Sequence, residues 1–250
     1  KSTSGTSNFA AGVNAGNSIA SGAQYNVVVG DEAGTAITTG DRNTAIGFGA
    51  LATEDAHGYN VAVGYAALNI LNAGADAYNT AVGYAAANVM TTGIQNTLIG
   101  SLAGDALTEA NYNVALGYGA LGSDTLGSRN TAIGTFSLDA QNFTGATNSN
   151  NTAVGYSSGS AVTTGIENTL IGARAGIVLT DADHNTAVGY GALTTDTQGS
   201  KSTAIGRSAL AAQNFSSATD SHNTAVGYNA GVAVTTGVSN TLIGSEAGNA

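Results

Sequence analysis

The residues able to do chemistry in this chain are few. It has three histidines, His57, His184 and His222, and no cysteine. Without Cys there is no thiolate zinc site and no Cys nucleophile. Carboxylates sit in variable stretches between more regular ones: Glu54-Asp55, Glu109, Asp124, Asp181-x-Asp183 and Asp196. Glu109 and Asp181, which share a slot, and Asp183 are the calcium candidates, since hard cations take oxygen ligands from loops. His184 and His222 fall in one slot two units apart, about 10 Å at the spacing of parallel strands, too far for one metal ion. Gly117-Tyr-Gly119-Ala-Leu-Gly122 spells a dinucleotide fingerprint, but that motif needs a following helix. The equivalent stretch 72 residues on reads Gly189-Tyr-Gly-Ala-Leu-Thr194. No Ser-His-Asp set and no pair of carboxylates facing one groove can be composed. The expectation is a non-enzyme with no catalytic residues, no resident metal and no cofactor.

The rest of the chain must therefore supply shape. Of 250 residues, 36 are Gly, 42% are hydrophobic and only 9% are charged, with no Pro and no Trp. Six Lys and Arg against sixteen Asp and Glu give a net charge of −10, which argues against a nucleic-acid partner. No apolar run is long enough to insert in a membrane. Disordered chains are poor in apolar residues and rich in Pro and charge, and this one is neither. The start, Lys1-Ser-Thr-Ser-Gly5, has no initiating Met and no apolar signal region, so the chain reads as part of a longer one.

One unit recurs along 1–250: Asn-Thr-Ala-Val/Ile-Gly-x-x-Ala-Gly/Leu. Its fourteen anchor glycines run from Gly12 to Gly244, and most lie 17 residues apart. Gly134 and Gly206 open units of 21, and Gly64 opens one of 19. A 72-residue super-repeat covers about 79–150, 151–222 and, incompletely, 223–250. Such a unit is too short for a helix pair or a propeller blade. Thr-Ala-Val-Gly-Tyr is β-like, and a second strand is expected over x-x-Ala-Gly/Leu. The fold class is all-β: a single parallel β-solenoid of about fourteen coils.

Each slot suggests a role. The Val or Ile before the anchor Gly is expected to point inward, with Thr two residues earlier. The Ala between them, Leu at 98, 170 and 242, is then expected to face outward. That slot is never charged, and a strand apolar on both faces is buried on both. Packing of the second face against other copies of the chain follows, hence a homo-oligomer. Asn opens nearly every unit, at 43, 60, 79, 96, 113, 130, 151, 168, 185, 223 and 240 among others, and is read as a structural amide ladder. Tyr65, Tyr84, Tyr118, Tyr156, Tyr190 and Tyr228 follow the anchor glycines as one aromatic column. Tyr25, Tyr59, Tyr78 and Tyr112 precede the Asn in a slot that elsewhere holds Arg129, Glu167, His184, Lys201 and His222, and so must be exposed. The column after Gly, with Phe143 and Phe215 of the long-unit loops, supplies the candidate ligand contacts; the alternative is that these rings simply pack on the solenoid.

Runs such as Asn79-Thr-Ala-Val-Gly-Tyr-Ala-Ala and Asn185-Thr-Ala-Val-Gly-Tyr-Gly-Ala-Leu resemble two repeat families. One is the head repeat of trimeric autotransporter adhesins, centred on a Ser-Val-Ala-Ile-Gly type core. The other is the Asn-Thr-Ala-(Val/Ile/Leu)-Gly-Tyr repeat of phage tail fibres. The resemblance covers essentially the whole chain. It implies a left-handed parallel β-roll, a homotrimer and an adhesive or structural role outside the cell or on a virion. The adhesin unit is shorter and more regular, and the 17/21 alternation has no counterpart in it. The expected function is a fibre or adhesin segment that extends a tail fibre or surface adhesin and contacts host surface polysaccharide. Alternatives are an ice- or polysaccharide-binding repeat protein and, behind it, a glycan-cleaving trimeric fibre enzyme.

Overall fold

The phase of the coils is set by the asparagine that opens nearly every one, Ser202 standing in its place once. In the computed structural model, which describes residues 7–249, this side chain is buried and spans two coils. Asn96 illustrates the pattern. Its Nδ2 donates to the Ala110 carbonyl of the next coil at 2.9 Å, and its Oδ1 accepts the Asn113 backbone N–H at 2.9 Å. A residue two positions on in a strand shares that direction. The central Ala or Leu of the strand therefore points inward with the Asn, while Thr and Val/Ile point out. This reverses the expected facing. Ala45, Ala81, Ala153, Leu98 and Leu170 are fully buried, whereas Ile46, Ile99 and Ile171 are 36 to 38% exposed.

The chain divides into two compact units, 1–126 and 127–250. The first is a stack of seven coils with strands β1 (Phe9–Ala11), β2 (Val27–Val29), β3 (Thr44–Ile46), β4 (Val61–Val63), β5 (Thr80–Val82), β6 (Thr97–Ile99) and β7 (Val114–Leu116). Each pairs in parallel with the next, like slot over like slot. The second also has seven coils, on β9 (Thr131–Ile133), β11 (Thr152–Val154), β12 (Thr169–Ile171), β13 (Thr186–Val188), β15 (Thr203–Ile205), β17 (Thr224–Val226) and β18 (Thr241–Ile243), in the same parallel register. The architecture is a parallel β-solenoid of about fourteen coils.

The expected second strand over x-x-Ala-Gly/Leu is absent from the described residues of that segment, which forms turns. The cause is a set of left-handed corners. In each coil the residue before Asn, the anchor Gly and the residues two and four after it all have positive φ. Among the described residues, thirty-two of those with positive φ are not glycine. Each such corner costs about 1 kcal/mol or more. Cross-coil hydrogen bonds offset it: Tyr59 N–H to the Asp41 carbonyl, Ala66 to Phe48, Leu68 to Ala86. The anchor itself admits only glycine, because a Cβ on Gly83 would collide with the Gly100 carbonyl oxygen.

The core follows a volume rule. Where the strand centre is Ala, the corner four residues after the anchor is usually a buried Leu: Leu51, Leu68, Leu121, Leu138, Leu193 or Leu210. Where the centre is Leu98 or Leu170, that corner is Gly104 or Gly176, and Leu107 or Leu179 fills the space. A Cβ on Gly104 would lie 2.8 Å from Leu107 and 3.1 Å from Leu98.

The long units have a physical cause as well. In the second unit the buried Asp196 accepts backbone N–H groups from Gly199 and Phe215 and the Gln213 side-chain amide. Its carboxylate thus holds the root of an inserted loop. Phe215, 7% exposed, plugs the loop onto the core, and β16 (Thr219–Asp220) pairs with β14 (Gly199–Ser200). Phe143, 6% exposed, is buried likewise, and β10 (Thr147–Asn148) pairs with β8 (Gly127–Ser128).

Candidate functional site

Since the Asn-to-Ala phase faces inward, each strand offers its other phase to solvent. In the second unit the outward column is Thr131, Thr152, Thr169, Thr186, Thr203, Thr224 and Thr241, beside Ile133, Val154, Ile171, Val188, Ile205, Val226 and Ile243. In the first unit the same columns run from Phe9 and Ala11 to Val114 and Leu116, with Val replacing Thr in several coils. Neither column holds a charge. The rows repeat about every 4.8 Å along the coils and are about 6.7 Å apart across the strand. Contiguous exposed apolar surface of this kind marks an interaction site.

Two further columns flank the strand. All six tyrosines after the anchor glycines are exposed, between 46 and 59%. Where aromatics are consecutive they stack: Phe48 on Tyr65 at 5.4 Å between centroids, and Tyr65 on Tyr84 at 5.3 Å. In the slot before Asn, Arg42 lies over both Tyr25 and Tyr59, and Tyr59 stacks on Tyr78 at 4.8 Å. A sugar ring packs on an aromatic face, and in these stacks the faces are turned to one another. Such columns present ring edges, Arg side chains and phenol oxygens. Arg207 sits likewise between Tyr190 and Tyr228. Tyr118 and Tyr156 are the remaining exposed rings of the column. Phe143 and Phe215 are buried and offer a ligand no surface; their loops present Thr144, Gly145, Ala146, Ser216, Ser217 and Ala218 instead.

The asparagines do more than stack amides. Oδ1 of Asn26, Asn43, Asn60 and Asn79 each accepts the backbone N–H of the next Asn, and Asn130, Asn151 and Asn168 repeat this in the second unit. Nδ2 of Asn79 reaches the Gly93 carbonyl, and that of Asn151 the Gly165 carbonyl. Asn185 passes the chain to Ser202, whose side chain is completed by Gln213, and Asn223 resumes it to Asn240.

The titratable groups are dispersed. Glu109 and Asp181 are exposed, and the Asp183 carboxylate accepts the Ile166 N–H at 2.8 Å. None of the three belongs to the one group of three His or acidic ligand atoms found among the described residues, Glu54, Asp55 and His57. There, burial pushes the Glu54 carboxyl above its usual value, while N–H groups of Ala73 and His57 pull the other way. Its oxygens are occupied by those contacts. Asp124 and Asp196 fill the same inward slot and are fully buried. The sequence pattern places all three acids seven residues after an anchor glycine, a spacing that signals their internal role. His184 lies 3.1 Å from Glu167, and Lys201 hydrogen-bonds Asp220 and holds its carboxyl below the usual range. Among the described residues no cavity is found and no helix is long and apolar enough to cross a membrane. Comparison with protein-family models, curated proteins and solved structures finds no match for the chain.

Proposed function

We propose that the chain is a non-enzymatic, load-bearing segment of an extracellular fibre, a phage tail fibre on the virion or a bacterial surface adhesin. Three copies associate through their outward Thr/Val and Val/Ile columns, and the assembled surface contacts host polysaccharide. The supporting observation is the outer strand face, which stays open on a single chain and holds no charged residue in either column. Removing apolar area of this kind from water contributes about 25 cal/mol per Å². The repeat resemblance to adhesin heads and tail fibres supports the same reading.

Variants of that face test it. Thr169 and Ile171 point away from the core, so Thr169→Arg with Ile171→Arg leaves the coil interior intact. The double variant is expected to keep the wild-type circular dichroism spectrum and to lose self-association. A variant that associates like wild type contradicts the proposal.

One observation favours a second reading, a binder of ordered surfaces such as ice or crystalline polysaccharide. The Thr column faces outward rather than into the coil, as a regular hydroxyl-and-methyl grid. A monomer that adsorbs to ice or an insoluble polysaccharide would replace the fibre reading.

A further inference from the structure

Ten tyrosines are spread over the repeat, and among the described residues two pairs of phenols, in adjacent coils, lie directly on one another. Tyr59 and Tyr78 have ring centroids 4.8 Å apart with planes at 25°, and Tyr65 and Tyr84 lie 5.3 Å apart at 13°. Each pair occupies the same slot of adjacent coils, so corresponding ring edges sit one above the other. Tyr65, Tyr78 and Tyr84 are 50 to 56% exposed. Elsewhere a different side chain intervenes. Arg42 separates Tyr25 from Tyr59, and Arg207 separates Tyr190 from Tyr228. Phe48 occupies the other face of Tyr65. The coil before Tyr112 has Gln95 in that slot, the coil before Tyr118 has Ser101, and Tyr156 falls between Thr135 and Ala173.

From this geometry we infer that Tyr59–Tyr78 and Tyr65–Tyr84 are sites of oxidative cross-linking, each closing into a dityrosine that staples neighbouring coils. The co-reactant is a one-electron oxidant of the haem peroxidase class with hydrogen peroxide. Each phenol gives up one electron and its hydroxyl proton, leaving a phenoxyl radical. The two radicals join through a carbon–carbon bond between the ring positions ortho to oxygen. The hydrogens on those carbons then move to the oxygens and restore both phenols. One peroxide takes up the two electrons and two protons and leaves as two waters. Stacking supplies the encounter in advance, as any held pair gains over a diffusing one. Arg42 Nη1 donates to the Tyr59 phenol oxygen at 2.8 Å, which leaves that phenol's own proton free to pass to solvent. The slot of Tyr59 and Tyr78 carries Arg, Glu, His and Lys in other coils and so stays wet.

The test treats the intact chain with a haem peroxidase and peroxide at high dilution and reads intact mass and cross-linked peptides. Loss of four hydrogens per chain is expected, with dityrosine fluorescence and two intrachain links joining 59 to 78 and 65 to 84. Tyr78→Phe and Tyr84→Phe are each expected to remove one link and keep the other; Phe48 shows that the column of Tyr65 and Tyr84 accepts Phe. Tyr112→Phe is expected to change nothing. No coupling, coupling that survives in the Tyr78→Phe/Tyr84→Phe double variant, or links only between chains would overturn the inference.

Discussion

At the residue scale, the asparagine ladder sets the interior of the coil. Asn96 donates to the Ala110 carbonyl and accepts the Asn113 N–H, both buried. Asn96→Ala leaves these two backbone groups without partners, at about 1–3 kcal/mol each. A loss of about 2–6 kcal/mol in unfolding free energy is therefore expected, measured by denaturant titration; a loss below about 0.5 kcal/mol, the range of ordinary surface changes, would contradict the ladder's role. The recurrence of Asn was legible in the sequence, but its direction was not. Assigning Val and Ile to the inside followed their hydrophobicity, and that inverted the strand. The phase is fixed by carbonyls of the coil that only an inward amide can reach, and Ala, two residues on, inherits it. The buried acids were equally ambiguous: Asp196 reads as a loop carboxylate until Phe215 and Gln213 are seen to converge on it.

At the scale of the element, the coil is a fixed volume filled in two ways. Leu98 with Gly104 and Leu107 is one filling; Ala62 with Leu68 and Leu71 is the other, and all the side chains in both are fully buried. Leu98→Ala is expected to destabilise by about 2–5 kcal/mol, as large-to-small core changes do. Adding Gly104→Leu converts this coil to the second filling, and Leu68 and Leu121 already occupy that corner at positive φ. The double variant is expected to recover much of the loss in thermal unfolding; a double variant less stable than Leu98→Ala alone would refute the volume rule. The alternation of Gly and Leu at this corner is visible in the sequence, and its partner slots sit six residues before it and three after. What hid the turns is that left-handed corners carry Tyr, Arg, Leu and Ala rather than the usual Gly and Asn. Their N–H groups are bonded to the neighbouring coil, so the stack rather than the local sequence selects the conformation.

For the whole molecule, the repeat fixes architecture directly: the anchor spacing predicts fourteen coils, and the two units contain seven each. The argument for partners rests on the strand's second apolar face. The structure exchanges the faces, so that the Ala/Leu phase fills the coil and the Thr/Val/Ile phase is the one left uncovered. The proposed contact between copies thereby moves from the Ala/Leu phase to the Thr/Val/Ile phase. The stacked tyrosines and intercalated arginines at the rim explain why ring faces are withheld from a ligand, a feature that residue types alone could not convey. The central claim is that this face is covered by two further copies of the chain. The mass of the intact assembly in solution, by light scattering or native mass spectrometry, addresses it most directly. A species three times the 24.3 kDa of one chain is expected, and a stable monomer at micromolar concentration would contradict it.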